Sequence, residues 1–434
     1  MTDVKIRKTA HLSGEVCAPA SKSYTQRMLI AASLSHGTSR VSGPLVSDDT
    51  EATLRAVRAF GANVKVAKSC WTVTGTNSLK AAETPIDCGE SGATLRFMIP
   101  VAALADGPST LMFRNSFDRR PIEPLLQSLK ELGVETSAGN VGGKSYVKVD
   151  GGGINGGETS IPGDVSSQFI SGLMFACPRA SRDTEISVTT PLESKGYVEM
   201  TKEVLAQHGI TVSVSENFRQ IRIPSGQVYT PCDHKVPGDF SSAAFLLAAA
   251  AITRSHVAVN NLDYQLVQGD KAIVGVLKQM GVEGKVCSHS IEIVGTGEAL
   301  KPLEVEAKET PDLVPVYVAL ACCAEGTSTI RGVARLRLKE SDRLESLHVE
   351  FGKMGASIAV DADSLVVNGP CKLHGTEIDP HNDHRIAMAC AIAALGAEGE
   401  TVIHNAECVQ KSYPSFFNDL QSLGVDLVGG KFNR

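Results

Sequence analysis

The feature that most constrains the fold of this chain is an internal repeat. A Pro/Gly/Asp loop, a patch of small polar residues and an apolar stretch rich in Ala and Leu recur four times along the sequence and twice more in looser form, at 311 and 380. The copies start at positions 19, 89, 162, 237, 311 and 380, about 70 to 75 residues apart. Because capping residues precede each apolar stretch, each is predicted to be a helix that begins at its loop.

A second marker recurs in phase with the first. In each copy an apolar helix is predicted to end at a glycine, and the six glycines are Gly61, Gly133, Gly209, Gly281, Gly355 and Gly424. Glycine after the last helical turn adopts the left-handed conformation that caps a helix. The β-branched alternation that follows, as at positions 211–215, predicts a strand. Two markers with one period predict an α/β fold built from six units of helix, strands, helix and strands.

The repeat also predicts the domain organisation. Three copies fill positions 19–236 and three fill 237–434, which predicts two pseudo-symmetric domains. Residues 4–17 are expected to complete the last copy, which places residues 1–18 in the C-terminal domain together with 237–434. The chain would then cross between domains near Pro19 and Pro237, which predicts a hinge and a ligand-binding cleft. Helix N-termini that converge there would attract anions.

Composition excludes several classes of function. The net charge of −6 gives no general attraction to nucleic acid or membranes, so any anion-binding site must be local. The longest apolar run, at positions 243–252, is far too short to span a bilayer, and the N-terminus has no hydrophobic signal region. Eleven scattered cysteines without a C-x-x-C pair predict reduced thiols in a cytoplasmic protein.

The stretch at positions 338–344 places two cations and two carboxylates between two leucines. If it opens a helix, Lys339 and Arg343 lie one turn apart on one face, with Glu340 one turn below Arg343. A helix N-terminus favours anions, and cations added there complete a phosphate or carboxylate site. The alternative for such a sequence in isolation is a solvated, salt-bridged helix face.

Helix starts in the first half of the chain carry groups suited to phosphates and carboxylates. Lys22 supplies a mobile charge, and Arg27, about one turn on, can pair bidentately with an anion. The Gly89–Gly92 turn permits close approach of the backbone to a ligand. Neutral donors are offered at a further helix start by Ser166, Ser167 and Gln168. The alternative in each case is an ordinary cap or turn.

The second half of the chain supplies candidate acid and base groups. Asp312 stands at a helix start, where it is either a cap or a general base facing cations. Arg385 lies one residue into an apolar helix, and Lys411 is a lone lysine for which solvent exposure is the alternative. His381 and His384 are three residues apart, but nothing else nearby suggests ligands, so no metal site is predicted.

A glycine-rich segment at positions 151–156 fits the pattern G-x-G-x-x-G of dinucleotide-binding loops. It precedes a strand-like stretch, however, and does not open a helix after a strand. We therefore predict a hairpin loop at this point and no dinucleotide site.

Together these motifs resemble the EPSP synthase family, the 3-phosphoshikimate 1-carboxyvinyltransferases of the shikimate pathway. The resemblance spans nearly the whole chain and rests on Ser21-Lys22-Ser23 with Arg27, Gly89–Gly92, Arg120-Pro121-Ile122, Ser166-Ser167-Gln168, Lys339-Glu340-Ser341-Asp342-Arg343, Asn382-Asp383-His384-Arg385 and Lys411. It implies two domains of three βαβαββ units each, an inside-out α/β barrel with a hinged cleft. It also implies a cytoplasmic monomer in aromatic amino acid (chorismate) biosynthesis, without metal or organic cofactor and with no nucleic acid or membrane as partner.

The implied reaction transfers the enolpyruvyl group of phosphoenolpyruvate to the 5-hydroxyl of shikimate 3-phosphate and releases phosphate. The implied shikimate 3-phosphate site consists of Lys22, Ser23, Arg27, Ser166, Ser167, Gln168, Ser194, Tyr197, Asp312 and Lys339. The implied phosphoenolpyruvate site consists of Lys22, Gly92, Arg120, Gln168, Arg343, Arg385 and Lys411. Asp312 is implied as the base on the hydroxyl. Glu340 and Lys22 are implied to move protons at the methylene, with His384 supporting Glu340.

The sequence departs from the family pattern at two places. Many members have Gly-Asn-(Ala/Ser)-Gly-Thr, whereas this chain has Gly-Glu-Ser-Gly-Ala at positions 89–93, so that Glu90 replaces an amide and Ala93 removes a hydroxyl. Arg335 stands where the family often has Asn. The first departure bears on the phosphoenolpyruvate contacts of this loop and on sensitivity to glyphosate.

Two alternatives are kept. The sister enolpyruvyl transferases that act on UDP-N-acetylglucosamine share the fold, but they typically have Lys-Asn at the first helix and a reactive cysteine before Arg-Pro. Here Ser23 follows Lys22, and positions 114–120 contain no cysteine. A non-catalytic repeat scaffold that binds anionic metabolites would keep the repeat without needing Asp312 and Glu340.

Overall fold

The computed structural model describes residues 2–114 and 121–430. The chain forms two compact units. The N-terminal unit is Ala20–Val236, and the C-terminal unit comprises the chain up to Pro19 and from Pro237 onward. Each unit has its own hydrophobic core. The α/β fold class predicted from the repeat is confirmed, with three repeats in each unit.

The described residues contain twelve α-helices. These are α1 (Lys22–Leu34), α2 (Asp48–Ala59), α3 (Gly92–Ala102), α4 (Glu123–Glu131), α5 (Ser167–Ala176), α6 (Lys195–Gln207), α7 (Phe240–Ile252), α8 (Ile273–Gln279), α9 (Val314–Cys323), α10 (Arg343–Lys353), α11 (His384–Ala394) and α12 (Phe416–Ser422). Short 3-10 helices lie at Cys177–Arg179, Gly269–Ala272, Pro311–Leu313, Ala334–Leu338 and Ala406–Lys411.

The strands are short. They are β1 (Val4–Arg7), β2 (Ser13–Cys17), β3 (Thr38–Ser42), β4 (Asn63–Ala67), β5 (Cys70–Thr74), β6 (Ile86–Asp87), β7 (Ser109–Phe113), β8 (Thr136–Val141), β9 (Lys144–Val149), β10 (Gly157–Ile161), β11 (Thr184–Val188), β12 (Ser213–Val214), β13 (Gln220–Ile223), β14 (His234–Lys235), β15 (His256–Asn260), β16 (Glu283–Val286), β17 (Ser290–Val294), β18 (Glu304–Glu306), β19 (Gly326–Arg331), β20 (Ile358–Val360), β21 (Ser364–Gly369), β22 (Glu377–Ile378), β23 (Glu400–Ile403) and β24 (Leu427–Val428).

Six four-stranded sheets of one topology repeat along the chain. In each, one edge strand pairs in parallel with its neighbour and the other neighbours pair antiparallel, as in β10-β11-β13-β12, where Ile186 faces Thr159 on one side and Ile221 on the other. The N-terminal unit holds β14-β3-β5-β4, β6-β7-β9-β8 and β10-β11-β13-β12. The C-terminal unit holds β16-β17-β15-β2, β18-β19-β21-β20 and β22-β23-β1-β24.

The helix that opens each repeat lies inside its unit. In α7, for example, every residue from Phe240 to Ala251 is buried, as expected for a helix that is apolar on all sides. The helices α7, α9 and α11 contact one another in the core of the C-terminal unit, and α3 packs against α5 in the N-terminal unit. The start of each such helix is therefore held at a defined place, with N-caps such as Ser21 on α1 and Asp383 on α11.

All six predicted helix-capping glycines have positive φ, between 76° at Gly209 and 103° at Gly61. The residue after each glycine donates its N–H to the carbonyl five residues earlier, as Ala356 does to Phe351 at 2.9 Å. This is the hydrogen bond of a Schellman motif, and it recurs in every copy. The prediction made from the second sequence marker is confirmed.

The N-terminal segment differs from its expected place. Residues 4–17 were expected to complete the last repeat, but only β1 joins the sixth sheet, while β2 pairs in parallel with β15 of the fourth. The strand β14 likewise pairs with β3 of the first repeat. At both points where the chain passes from one unit to the other, the strand before the buried helix belongs to the unit that the chain is leaving. The first sheet of each unit is completed in this way.

Candidate active site

The charged stretch at 338–344 does not begin a helix at Lys339, its first cation. A 3-10 helix ends at Leu338, Lys339 is extended, and α10 begins only at Arg343. The reason is the cap, because the side chain of Asp342 accepts the backbone N–H of Glu345 at 3.2 Å. Lys339 and Arg343 therefore do not share a helical turn as the one-turn spacing had suggested.

Arg343 is a buried cation that three carboxylates surround. Its Nε donates to Asp383 Oδ2 at 2.8 Å, its Nη1 to Asp312 Oδ1 at 2.9 Å and its Nη2 to Glu340 Oε2 at 2.6 Å. Its side chain is 1 % exposed, and that of Asp383 is fully buried. Burial disfavours the charged guanidinium, but the field of Asp383, Glu340 and Asp312 outweighs this and raises the pKa of Arg343. The alternative of a solvated helix face is excluded.

Asp312 lies where three cations meet. The 3-10 helix Pro311–Leu313 places it ahead of α9, and its carboxylate contacts Lys339 Nζ at 3.4 Å, Arg343 Nη1 at 2.9 Å and Arg385 Nη2 at 3.4 Å. Burial alone would raise its pKa, but Arg385, Lys339 and Arg343 hold the pKa of Asp312 well below its usual range. The group is therefore a carboxylate at neutral pH.

Lys339, one of the cations in contact with Asp312, has a lowered pKa. Burial lowers the pKa of its ammonium to about 8, and the positive charges of Arg335 and Arg343 act in the same direction. The carboxylates of Asp312 and Glu340 oppose this fall. A lysine with a pKa near neutrality can gain or lose its proton during turnover.

Three further candidate residues of the C-terminal unit are His384 and Arg385, at the start of α11, and Lys411, at the end of the 3-10 helix Ala406–Lys411. Asp383 caps α11 by accepting the N–H of Arg385 at 2.9 Å, and Arg385 Nη1 donates to the Asp312 carbonyl at 3.0 Å. His384 is buried, with Nδ1 3.8 Å from Asp383 Oδ1. Lys411, for which solvent exposure was the alternative, is 8 % exposed and donates to the Asn382 carbonyl at 2.8 Å.

In the N-terminal unit, Lys22 belongs to a group of polar residues at the starts of three helices, α1, α2 and α3. It is the first residue of α1, and its Nζ donates to Asp49 Oδ2 at 2.9 Å. Gln26, one turn on, donates to the Asp49 carbonyl at 3.2 Å and to Ser91 Oγ at 3.4 Å. Ser91 caps α3, whose first residue is Gly92. The starts of α1, α2 and α3 are thus held together, with Lys22 and Gly92 at their ends.

Arg27 lies deeper in the same unit. Its Nε donates to Thr201 Oγ1 at 2.8 Å, and its two Nη atoms donate to the carbonyls of Ser23 at 3.1 Å and Tyr197 at 3.2 Å. The guanidinium carbon lies 5.0 Å from the centre of the Phe97 ring and 5.6 Å from that of Tyr197. Burial lowers its pKa to about 10, against the opposing effect of Tyr197. Arg27 therefore ties α1 to α6 in this structure.

The neutral donors are placed by two further helix starts. Ser166 caps α5 by accepting the N–H of Gln168 at 3.3 Å, and Ser167 is the first residue of that helix. The Gln168 side-chain oxygen accepts from Arg96 Nη1 at 2.9 Å. Ser194, before α6, has a left-handed backbone with φ of 57°.

Three further features singled out in the sequence are Arg120, Arg335 and the glycine-rich segment at 151–156. Arg120 lies outside the described residues. Arg335 is 9 % exposed and donates from Nη2 to the Lys308 carbonyl at 3.1 Å, so it holds the backbone ahead of Asp312. The glycine-rich segment at 151–156 is a loop, but the prediction of a hairpin is wrong, because the segment joins β9 and β10, which belong to different sheets.

The sequence did not reveal all of the carboxylates that balance these cations. Asp49 and Asp383 both lie at helix starts, where an aspartate is ordinarily interpreted as a cap. Asp270, in the 3-10 helix Gly269–Ala272, is buried, and burial together with the nearby charge of Asp312 raises its pKa to about 7. No motif around Asp270 marks it in the sequence. Within 2–114 and 121–430, no set of three or more His, Cys, Asp or Glu side chains is arranged to hold a metal ion.

Comparison with known proteins identifies the family of the chain. The family model described as EPSP synthase (3-phosphoshikimate 1-carboxyvinyltransferase) matches residues 6–420. The 3-phosphoshikimate 1-carboxyvinyltransferase of Methanocaldococcus jannaschii is 40 % identical over 97 % of this chain and 98 % of its own length. That of Methanocella arvoryzae is 42 % identical over 95 % of this chain and 96 % of its own.

Solved structures agree with this result. The EPSP synthase of Acinetobacter baumannii superposes with a TM-score of 0.83 at 26 % identity and covers 99 % of this chain and 100 % of its own. None of the helices in the described part of the chain has the length and apolar character needed to cross a membrane. With a family match over nearly its whole length, the chain belongs to the EPSP synthase (3-phosphoshikimate 1-carboxyvinyltransferase) family.

Proposed function

We propose that this protein transfers the 1-carboxyvinyl group of phosphoenolpyruvate to the 5-hydroxyl of shikimate 3-phosphate, giving 5-enolpyruvylshikimate 3-phosphate and phosphate. The observation that carries this proposal is Asp312, a carboxylate in contact with Lys339, Arg343 and Arg385. In a member of this family, that arrangement combines a base with cations able to bind the anionic groups of both substrates.

The reaction requires proton transfer at two places, the 5-hydroxyl of shikimate 3-phosphate and the methylene carbon of phosphoenolpyruvate. In the addition step, the 5-hydroxyl oxygen bonds to C2 of phosphoenolpyruvate, its proton passes to a base and another proton is added to the methylene carbon. The resulting tetrahedral intermediate then loses a proton from the new methyl group and expels phosphate as the bond between C2 and the phosphate oxygen breaks. No electrons are gained or lost, and the proton transfer at the methylene carbon is reversed between the two steps.

Asp312 is the proposed base on the hydroxyl. Its three cations keep it ionised, and they also make it a weak base in the free protein. A bound phosphate beside Lys339 and Arg343 would offset their charge and raise the proton affinity of Asp312. Substrate binding would therefore activate the base.

Glu340 and Lys22 are the proposed groups at the methylene. Glu340 accepts from Arg343 Nη2 at 2.6 Å, and Lys22 Nζ donates to Asp49 at 2.9 Å, so each side chain is held in place by a partner of opposite charge. His384, buried next to Asp383, is the proposed support for Glu340.

The remaining residues are assigned by substrate. Phosphoenolpyruvate is proposed to bind Lys22, Gly92, Arg120, Gln168, Arg343, Arg385 and Lys411. Shikimate 3-phosphate is proposed to bind Lys22, Ser23, Arg27, Ser166, Ser167, Gln168, Ser194, Tyr197, Asp312 and Lys339. The protein is further proposed to act as a cytoplasmic monomer. Burial of Lys411, Arg343 and Arg385 supports their assignment, because a buried cation interacts strongly with a bound anion.

Phosphate release tests the proposal. The protein is incubated with phosphoenolpyruvate and shikimate 3-phosphate, and with phosphoenolpyruvate plus UDP-N-acetylglucosamine in parallel. Phosphate is expected only with the first pair of substrates. The same assay is run on Asp312→Asn, with Asp361→Asn, a change at an exposed aspartate, as the control variant. Turnover with the nucleotide sugar alone would establish the sister activity. Binding of both substrates without phosphate release would establish a non-catalytic scaffold.

A further inference from the structure

A buried glutamate outside the proposed substrate contacts holds the loop that carries Asp383, His384 and Arg385. Glu350 is fully buried on α10, and both of its oxygens accept hydrogen bonds. Oε1 lies 2.9 Å from His381 Nε2, and Oε2 accepts the backbone N–H of Asp379 at 3.1 Å. Lys353 Nζ, 2.8 and 2.9 Å from the two oxygens, balances the charge.

The loop that Glu350 contacts has an unusual backbone. His381 and Asn382 both have positive φ, at 53° and 55°, a conformation that is uncommon in non-glycine residues although Asn and His adopt it more readily than most. The side chain of Asp379 accepts the N–H of His381 at 2.8 Å, and Lys411 donates to the carbonyl of Asn382 at 2.8 Å. Each left-handed residue is therefore fixed by at least one polar contact.

The helix α10 contacts this loop at two points. Arg343, its first residue, donates to Asp383, and Glu350 contacts Asp379 and His381. The two residues are seven apart, which is two helical turns and about 10 Å on one helix face. The spacing of the two contacts along a rigid helix fixes both ends of the loop at once.

We infer that Glu350 is a positioning residue for the reaction: by clamping Asp379 and His381, it sets the left-handed turn that places Asp383, His384 and Arg385. Without the clamp, His381 and Asn382 relax toward ordinary backbone conformations, and the start of α11 shifts with them. A misplacement of about 1 Å in the groups that position a substrate can reduce catalysis by as much as about 100-fold. The consequence for catalysis rests on the proposed function, whereas the structural role of Glu350 does not.

Two variants test the clamp. Glu350→Gln keeps the size of the side chain but removes its charge and one acceptor. His381→Asn removes the imidazole contact while retaining a residue type that tolerates positive φ, and it leaves Glu350 paired with Lys353. Glu345→Gln, an exposed glutamate on the same helix, is the matched control.

Hydrogen exchange of the backbone amides is the primary measurement. In both variants the amides of 379–385 are expected to exchange about tenfold faster or more, while those of the α9 core keep their protection. The kcat/KM for phosphoenolpyruvate is expected to fall about 10- to 100-fold, with a smaller change in the KM for shikimate 3-phosphate. Glu345→Gln is expected to match the wild type in all three quantities.

The outcomes are separable. Unchanged exchange at 379–385 in His381→Asn would overturn the clamp, whatever the activity of that variant. If Glu350→Gln fails to fold, His381→Asn decides the question alone. Absence of turnover by the wild-type protein would refute the proposed function, and the exchange measurement would still decide the role of Glu350. Faster exchange at 379–385 with undiminished kcat/KM would show that the loop is clamped but that the clamp does not position catalytic groups, which would overturn the inference.

Discussion

Arg343 and Asp383, forty positions apart, form a fully buried ion pair in which the guanidinium Nε donates to the carboxylate at 2.8 Å and Nη2 at 3.4 Å. Arg343 is the first residue of α10 and Asp383 is the cap of α11, so the pair joins helix starts of the fifth and sixth repeats. Ser341 Oγ adds a third contact to Asp383, at 3.2 Å.

The first prediction concerns the stability of this pair. Asp383→Ala leaves the Arg343 charge with one partner fewer and removes a helix cap, so we expect the free energy of unfolding to fall by about 3 to 5 kcal/mol. Urea unfolding followed by circular dichroism measures it. Glu304→Gln, which breaks the exposed pair with Arg331, is the control and is expected to cost less than about 1 kcal/mol. Equal effects of the two variants would contradict the importance of burial.

The second prediction concerns Asp312. Asp312→Asn keeps the shape of the side chain but cannot take up a proton, so we expect kcat to fall about 10²- to 10⁴-fold. Binding of shikimate 3-phosphate should stay within about threefold of wild type, because Lys339 remains and loses a competing anion. Steady-state kinetics and calorimetry measure the two quantities. An unchanged kcat would remove Asp312 as the base.

Much of the fold was predictable because its signals are local. A glycine that ends a helix must adopt positive φ whatever lies around it, and all six predicted positions, from Gly61 to Gly424, do so. The buried helices were equally predictable, since α7 has an apolar residue at nearly every position. Where a strand pairs is not local, which is why the place of β2 was predicted wrongly.

The site was predictable only in part for the same reason. The motifs around Lys22, Asp312 and Arg343 could be located, but whether a cation is solvated or paired depends on residues far along the chain. Asp49 and Asp383 look like ordinary caps until the fold brings Lys22 and Arg343 to them. The burial that lowers the pKa of Lys339 to about 8 also has no local signal in the sequence.

The third prediction follows from that pKa. Burial keeps the free-protein pKa of Lys339 near 8, and a bound phosphate stabilises the charged form, so the pKa in the complex is higher. Affinity for shikimate 3-phosphate should therefore be level from about pH 7 to 8 and should fall about tenfold per pH unit above 8, with proton uptake on binding. Calorimetry in two buffers measures both. Lys339→Arg stays charged and should show a flat profile, and a flat wild-type profile would exclude this role.

The fourth prediction separates the two substrates. Arg385 contacts the backbone carbonyl and the side-chain carboxylate of Asp312, and Lys22 is paired with Asp49 in the other unit. Arg385 and Lys22 are nevertheless both assigned to phosphoenolpyruvate. Removing a charge-assisted hydrogen bond costs about 1.5 to 3 kcal/mol, so Arg385→Ala and Lys22→Ala should each weaken phosphoenolpyruvate binding about 10- to 100-fold. Shikimate 3-phosphate binding should weaken less, and least in Arg385→Ala, because Lys22 is also assigned to that substrate.

Arg337→Ala, which removes a half-exposed arginine paired with Asp342, is the control for loss of positive charge. Calorimetric titration of each substrate measures the split, and equal losses for the two substrates would refute it.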